Sequence, residues 1–200
     1  MATTRKRRDA PRKGDLREQA ILDTAEALLD REHVEPMTVE TIATGAGISR
    51  ASLYFYFGSK QEVLTALVAR TVAVLGQDAA SVDAGADPGE TARASVRLTG
   101  RMWRDHGPVM RAAVDLSPTV PGIARLWNGT VAAYAEAMTG VLLRAGLPAG
   151  DGPTGAAAVA RALCWMTERV FYHASRPPGD LDAATETCAE LWRRAITARS

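Results

Sequence analysis

The stretch that most limits how this chain can fold is Thr38–Lys60, TVETIATGAGISRASLYFYFGSK. It predicts two short helices joined by a tight turn, with a third helix starting at once. Thr38 can cap the first helix, because a threonine hydroxyl accepts the amide two or three residues on. Ile42, Ala43 and Ala46 give that helix one apolar side. Gly45 and Gly47 flank Ala46, and a glycine here can take the positive φ that ends a helix sharply. Ser49 caps a second helix whose inward residues are Leu53 and Tyr56 or Phe57. Ser59 and Glu62 form a capping box for the third, hydroxyl to the amide three residues on and carboxylate back to the cap. Two helices cross closely when the first offers a small residue, the turn a glycine and the second an aliphatic. Ala43, Gly47 and Leu53 supply these, so the stretch reads as a helix-turn-helix, which presents its second helix to the DNA major groove. The competing reading is a helical corner with a structural role only.

The net charge of +1 gives no hint of a polyanionic partner until the charge is placed. Residues 1–17 hold Arg5, Lys6, Arg7, Arg8, Arg12, Lys13 and Arg17 against Asp9 and Asp15, a local +5 that leaves −4 for the rest. Charged residues at 24% and apolar residues at 46% are globular values and argue against wholesale disorder. The basic start runs into no apolar stretch, so no signal peptide is expected. No apolar run approaches the roughly 18–20 residues needed to cross a bilayer, so no membrane partner is expected either. Cys164 and Cys188 lack the paired spacing of a zinc or redox motif, and they suit a reducing cytoplasm as packing residues. His33, His106 and His173 are scattered; no metal site and no cofactor are expected.

The expected fold class is all-α, with three parts. Residues 1–14 form a disordered basic arm, either a solvated tail or a segment that follows a phosphate backbone. Residues 15–75 form the helix-turn-helix domain. It opens with a helix from Asp15 to about Arg31, whose Leu16, Ala20, Ile21, Ala25, Leu28 and Leu29 recur at helical spacing. Residues 76–200 form a larger helical domain, entered along a long helix from Ser59. Further helices are expected from Pro88 to His106, over about 108–116, from Pro121 through Leu142, over 154–174 and over 181–198.

Thr38–Lys60 and the helix before it resemble the DNA-binding domain of the TetR family of bacterial transcriptional repressors, with Ile48, Ser49, Leu53, Tyr54, Phe57 and Lys60 at the family's spacing. The Leu-Tyr-Phe-Tyr-Phe run and the neighbourhood of Glu168 and Arg169 look like the EthR-type branch. The resemblance implies about nine helices and roles that side-chain chemistry supports. Arg50 would fork onto guanine or clamp a phosphate. Ser49 and Ser52 sit at the start of the reading helix, where Ser52 reaches a base edge or phosphate. Tyr54 and Tyr56 would offer hydroxyls to phosphate oxygens, with core packing as their alternative. Thr38 and Lys60 lie at helix starts, where free amides favour an anion.

The second domain holds all four tryptophans, and the resemblance implies a ligand pocket there. Met102, Trp103, Trp127, Tyr134, Met138, Met166, Thr167 and Phe171 are its candidate lining, with Glu168 a further polar candidate. Ligand pockets are mostly apolar with a few polar groups, although aromatic stripes are more often plain core. In the family the last two helices pair with their copies; Val159, Leu163, Val170, Ala184, Cys188 and Leu191 would form that dimer interface. The expected function is a homodimeric repressor of transcription, released from a palindromic double-stranded DNA operator by a small apolar or aromatic effector. The alternatives are a small-molecule carrier or enzyme with a helical corner, or a ligand-independent DNA architectural protein. The chain shows no nucleophile–base pair and no phosphate-cradling loop, so an enzyme is not expected.

Overall fold

The computed structural model describes residues 13–31, 34, 36–80, 87–150 and 152–197, and among these every regular element is an α-helix. The chain divides into two compact units between Leu67 and Val68, eight residues earlier than the expected 75/76 boundary. The reason is local: Val63, Leu64 and Leu67 are buried, so the first turns of the long helix belong to the first unit's core. The basic arm expected over 1–14 lies outside the described residues as far as residue 12.

The first unit contains α1 (Lys13–Arg31), α2 (Val39–Gly45), α3 (Arg50–Tyr56) and the start of α4 (Lys60–Ala80). Its core is Ile21, Leu22, Ala25 and Leu29 of α1, Met37, Ile42 and Ala43 around α2, and Leu53 and Phe57 at α3. Leu16, expected on the apolar face, is 52% exposed instead, because α1 extends past the part of the unit that can cover it. Gly45 permits the α1–α2 contact: a Cβ there would sit 2.5 Å from Thr24 Cγ2.

The second unit contains the rest of α4, then α5 (Pro88–Asp105), α6 (Gly107–Leu116), α7 (Pro121–Arg144), α8 (Ala156–Ala174) and α9 (Leu181–Thr197). The proline-led starts of α5, α6 and α7 place the missing amide where no helical partner exists for it. The most extensive packing is α5 along α9 and α7 along α8. Gly100 lets α5 close on α9, since a Cβ there would meet Thr185 Oγ1 at 2.5 Å. Arg97 forks onto Glu186 at 2.9 and 3.0 Å across the same pair of helices, and Arg104 bonds Asp182 nearby. Trp192 is wholly buried and donates its indole N–H to Thr167 Oγ1 at 3.1 Å.

Candidate functional site

Thr38 is extended at φ −123° and ψ 164°, and its hydroxyl accepts from the Thr41 amide. Thr41 returns the bond, its Oγ1 accepting from the Thr38 amide at 2.9 Å, so a threonine completes the capping box. At the other end of α2, Ile48 donates to the Ala43 carbonyl and Gly47 to that of Thr44, with Gly47 at φ +65°. This is a Schellman turn, and the left-handed position is the one a glycine fills without strain. It delivers Ser49 as the extended cap of α3, accepting from the Ser52 amide at 3.1 Å.

Burial of Leu53 at 0% and Phe57 at 7% fixes which side of α3 faces out. Arg50, Ser52 and Tyr54 are exposed, as are Thr38 and Ser49. Arg50 Nη2 donates to the Tyr54 hydroxyl at 3.2 Å, with the guanidinium 5.5 Å from the Tyr54 ring centroid. That hydrogen bond raises the Arg50 pKa above its ordinary value, so the group is a fixed cation. Ser49 and Ser52 share a hydroxyl–hydroxyl bond of 2.9 Å, leaving one proton of the pair for an outside acceptor.

Two expected contacts are differently placed. Lys60 is half-buried and donates to the Val34 carbonyl at 3.2 Å, so one of its three N–H groups serves the fold. Tyr56 is also half-buried, its ring edge-on to Phe55 at 5.4 Å. The expected box at Ser59 is half-formed: the Glu62 amide bonds Ser59 Oγ, but the Glu62 carboxylate caps the Gly58 amide. Two further residues join this face. Phe55 is 85% exposed, and Arg17 of α1 joins Gly47, Ser49, Ser52, Phe55 and Tyr56 around a surface cleft of about 450 Å³. A helix turns about 100° per residue, so the inward Leu53 already implies an outward Phe55. Arg17 could be counted in the basic start, but its place beside α3 is a tertiary fact.

The second unit holds a smaller, partly open cavity of about 50 Å³. Four of its expected lining residues are present: Trp103, Trp127, Tyr134 and Thr167, with Glu168 beside them. Thr99, Met110, Thr130, Val131 and Cys164 complete the wall. Trp103 and Trp127 pack edge to face at 6.2 Å. Thr99 Oγ1 and the Tyr134 hydroxyl lie 3.3 Å apart, and burial pushes the Tyr134 phenol up to about 12. Burial likewise raises the Cys164 thiol to about 12, so it stays a neutral packing group.

Glu168 is 7% exposed, with Oε1 accepting from Trp127 Nε1 at 3.4 Å and Oε2 lacking a hydrogen-bond partner among the described residues. Its pKa is raised by burial, partly opposed by Arg169. Met102, Met138 and Phe171 are buried in the core away from this wall, and Met166 is half-buried off it. On α8 the cavity face is Cys164, Thr167 and Glu168, one helical stripe from which Met166 is rotated by a full residue step.

Of the expected interface residues, Val159, Leu163, Val170 and Ala184 are half-buried and Leu191 is 37% exposed. Cys188 corrects the expectation. It is wholly buried within its own chain, because the inward stripe of α9 is Thr185, Cys188, Ala189 and Trp192. Among the described residues no helix is long and apolar enough to cross a membrane.

Comparison with known proteins agrees with this geometry. The pattern for bacterial regulatory proteins of the tetR family matches residues 21–67, and that for the C-terminal domain of the transcriptional regulator EthR matches residues 92–198. The HTH-type transcriptional regulator EthR of Mycolicibacterium smegmatis is 32% identical over 97% of this chain and 92% of its own length. Its namesake from Mycobacterium tuberculosis is 34% identical over 96% and 92%. The fold also follows the fatty acid degradation regulator FadR from Bacillus halodurans, with a TM-score of 0.74 over 93% of this chain and 96% of that one at 17% identity. An exposed second helix, capped by Ser49, on a helix-turn-helix joined to an EthR-type helical domain makes this chain a transcriptional regulator of the TetR family.

Proposed function

We propose that this regulator is a homodimeric repressor that acts in the cytoplasm and leaves a palindromic operator when a small molecule enters its second unit. The observation that carries the reading is the Arg50–Tyr54 pair, held together on the open side of α3. A guanidinium steadied by a neighbouring phenol loses little freedom when it meets a base edge or phosphate. Thr38, Ser49 and Ser52 add hydroxyls and helix-start amides around it. Phe55 adds an apolar surface suited to a thymine methyl group. Tyr56 and Lys60 keep a supporting share: two N–H groups of Lys60 are not used by Val34.

Two reading heads would suit a two-fold operator with half-sites about 34–36 Å apart, or a multiple of that. The outward residues of α8 and α9, Val159, Leu163, Val170, Ala184 and Leu191, supply an apolar face for the pairing. Ligand in the cavity would act through α4, the helix that both units share. It can do so only by binding the operator-free state more tightly than the operator-bound one. The basic residues before α1 would add phosphate contacts, so removing residues 1–12 should flatten the salt dependence of binding by several units of log–log slope.

The test is a gel-shift titration on the DNA upstream of the protein's own coding sequence. Arg50→Ala combined with Tyr54→Phe is expected to weaken binding at least about tenfold, the equivalent of losing one good contact. Unchanged affinity would reject α3 as the reading helix.

A further inference from the structure

The threonine hydroxyls in the wall of the second unit's cavity already have partners within the fold. Thr99 and Thr130 each donate to the carbonyl one turn back, Ser95 at 3.0 Å and Leu126 at 2.9 Å, leaving their oxygens as acceptors. Thr167 Oγ1 accepts from Trp192, and the same side chain is hydrogen-bonded to Cys188. Glu168 joins this wall with one carboxylate oxygen bonded to Trp127 and the other, Oε2, without a hydrogen bond among the described residues. Its nearest cation, Arg169 Nε, stands 3.7 Å away on a side chain 55% exposed, and that guanidinium also lies 5.1 Å from the Tyr172 ring centroid. A buried carboxylate left half-bonded is costly, and the stabilising partner is a donor that brings positive charge.

We propose that this cavity binds an organic ammonium ion, its N–H groups completing Glu168 Oε2 while Trp103, Trp127 and Tyr134 surround the charge and the attached carbon. This identifies the effector class and rests on the reading of the cavity as the effector site. Tryptophan and tyrosine rings favour a cation over a neutral group of the same shape. A cavity of about 50 Å³ takes an ammonium head with a short alkyl group; a longer chain must open it further. A neutral alcohol could satisfy Oε2 but would add no positive charge to that of the half-exposed Arg169.

Calorimetric titration of the full-length protein with methyl- to butylammonium chlorides, each beside its matched alcohol, tests this. At least one ammonium is expected to bind tenfold or more tightly than its alcohol, and Glu168→Gln is expected to abolish that preference. Circular dichroism of the variant checks its fold; were it to misfold, the wild-type preference decides alone. An alcohol bound as tightly as its ammonium, undiminished ammonium affinity in a folded Gln variant, or no ammonium binding at millimolar concentration would overturn the proposal. The two readings fail separately: an ammonium that binds without altering operator affinity leaves the assignment standing and removes the release mechanism. Release by a neutral compound alone does the reverse.

Discussion

In the first unit the groups offered outward are held by partners three or four residues away, whereas in the second the cavity wall is assembled from side chains tens of residues apart. Thr38 with Thr41, Ser49 with Ser52, and Arg50 with Tyr54 are all neighbours in the chain. Trp127 meets Glu168 across 41 positions and Thr99 meets Tyr134 across 35. The reading head is therefore a local object resting on a few apolar side chains behind it. The cavity has no local definition: its polarity depends on how four helices pack. Changes to the head should accordingly show up in DNA binding first, and changes to the cavity wall in stability and ligand binding first.

The largest effect should come from removing what backs the head. Leu53→Ala is expected to cost about 2–5 kcal/mol, as for other fully buried leucines, and to abolish operator binding. Urea unfolding followed by far-UV circular dichroism measures the loss. Tryptophan fluorescence, which reports only the second unit, should show that unit's transition unmoved. A common shift of both signals would show that the two regions are not separable.

Next is Trp127→Phe, which keeps an aromatic ring in the cavity wall but removes the donor to Glu168. Leaving that carboxylate wholly unbonded should cost about 1–3 kcal/mol in the tryptophan-monitored transition, with operator affinity changed less than twofold. Ser49→Ala is smaller, at about 1 kcal/mol for a lost helix cap, and should fall on the first unit's transition and on DNA affinity together.

The smallest expected effect is on pH. Burial raises the Glu168 pKa, so the folded state holds this proton more tightly than the unfolded chain does. The carboxylate's penalty is therefore fully present above the folded value and relieved as pH falls toward the ordinary carboxylate range. Urea melts at pH 7.5 and 5 should show wild type gaining on Glu168→Gln as the pH drops. A gap that widens instead would mean that the charge is already compensated.

The same contrast governs how much could be read from sequence. Both caps, the Gly47 turn and the inward Leu53 depend on residues a few places apart, and they stand as their spacing implied. The helices of the second unit were legible for a similar reason, since Pro88, Pro108 and Pro121 mark their starts. The failures lie where a long-range neighbour decides. Leu16 fits an apolar stripe but has nothing to cover it, and Lys60 is drawn to Val34 by an ammonium long enough to reach another segment. Cys188 and Phe171 belong to stripes facing the core, and periodicity gives a helix's apolar face without saying what that face meets. Glu168 is legible in the sequence only as a polar candidate beside Thr167; its half-bonded carboxylate depends on how α7 and α8 pack.

The exposed face of α3 is the claim on which the regulator's mechanism depends, and photo-crosslinking tests it most directly. Benzoylphenylalanine placed at Phe55, 85% exposed, is expected to crosslink to operator DNA on irradiation, while the same group at Leu143 of α7, 43% exposed, is expected not to. Operator crosslinks at Leu143 but none at Phe55, in a protein that still shifts the operator in a gel, would contradict the account.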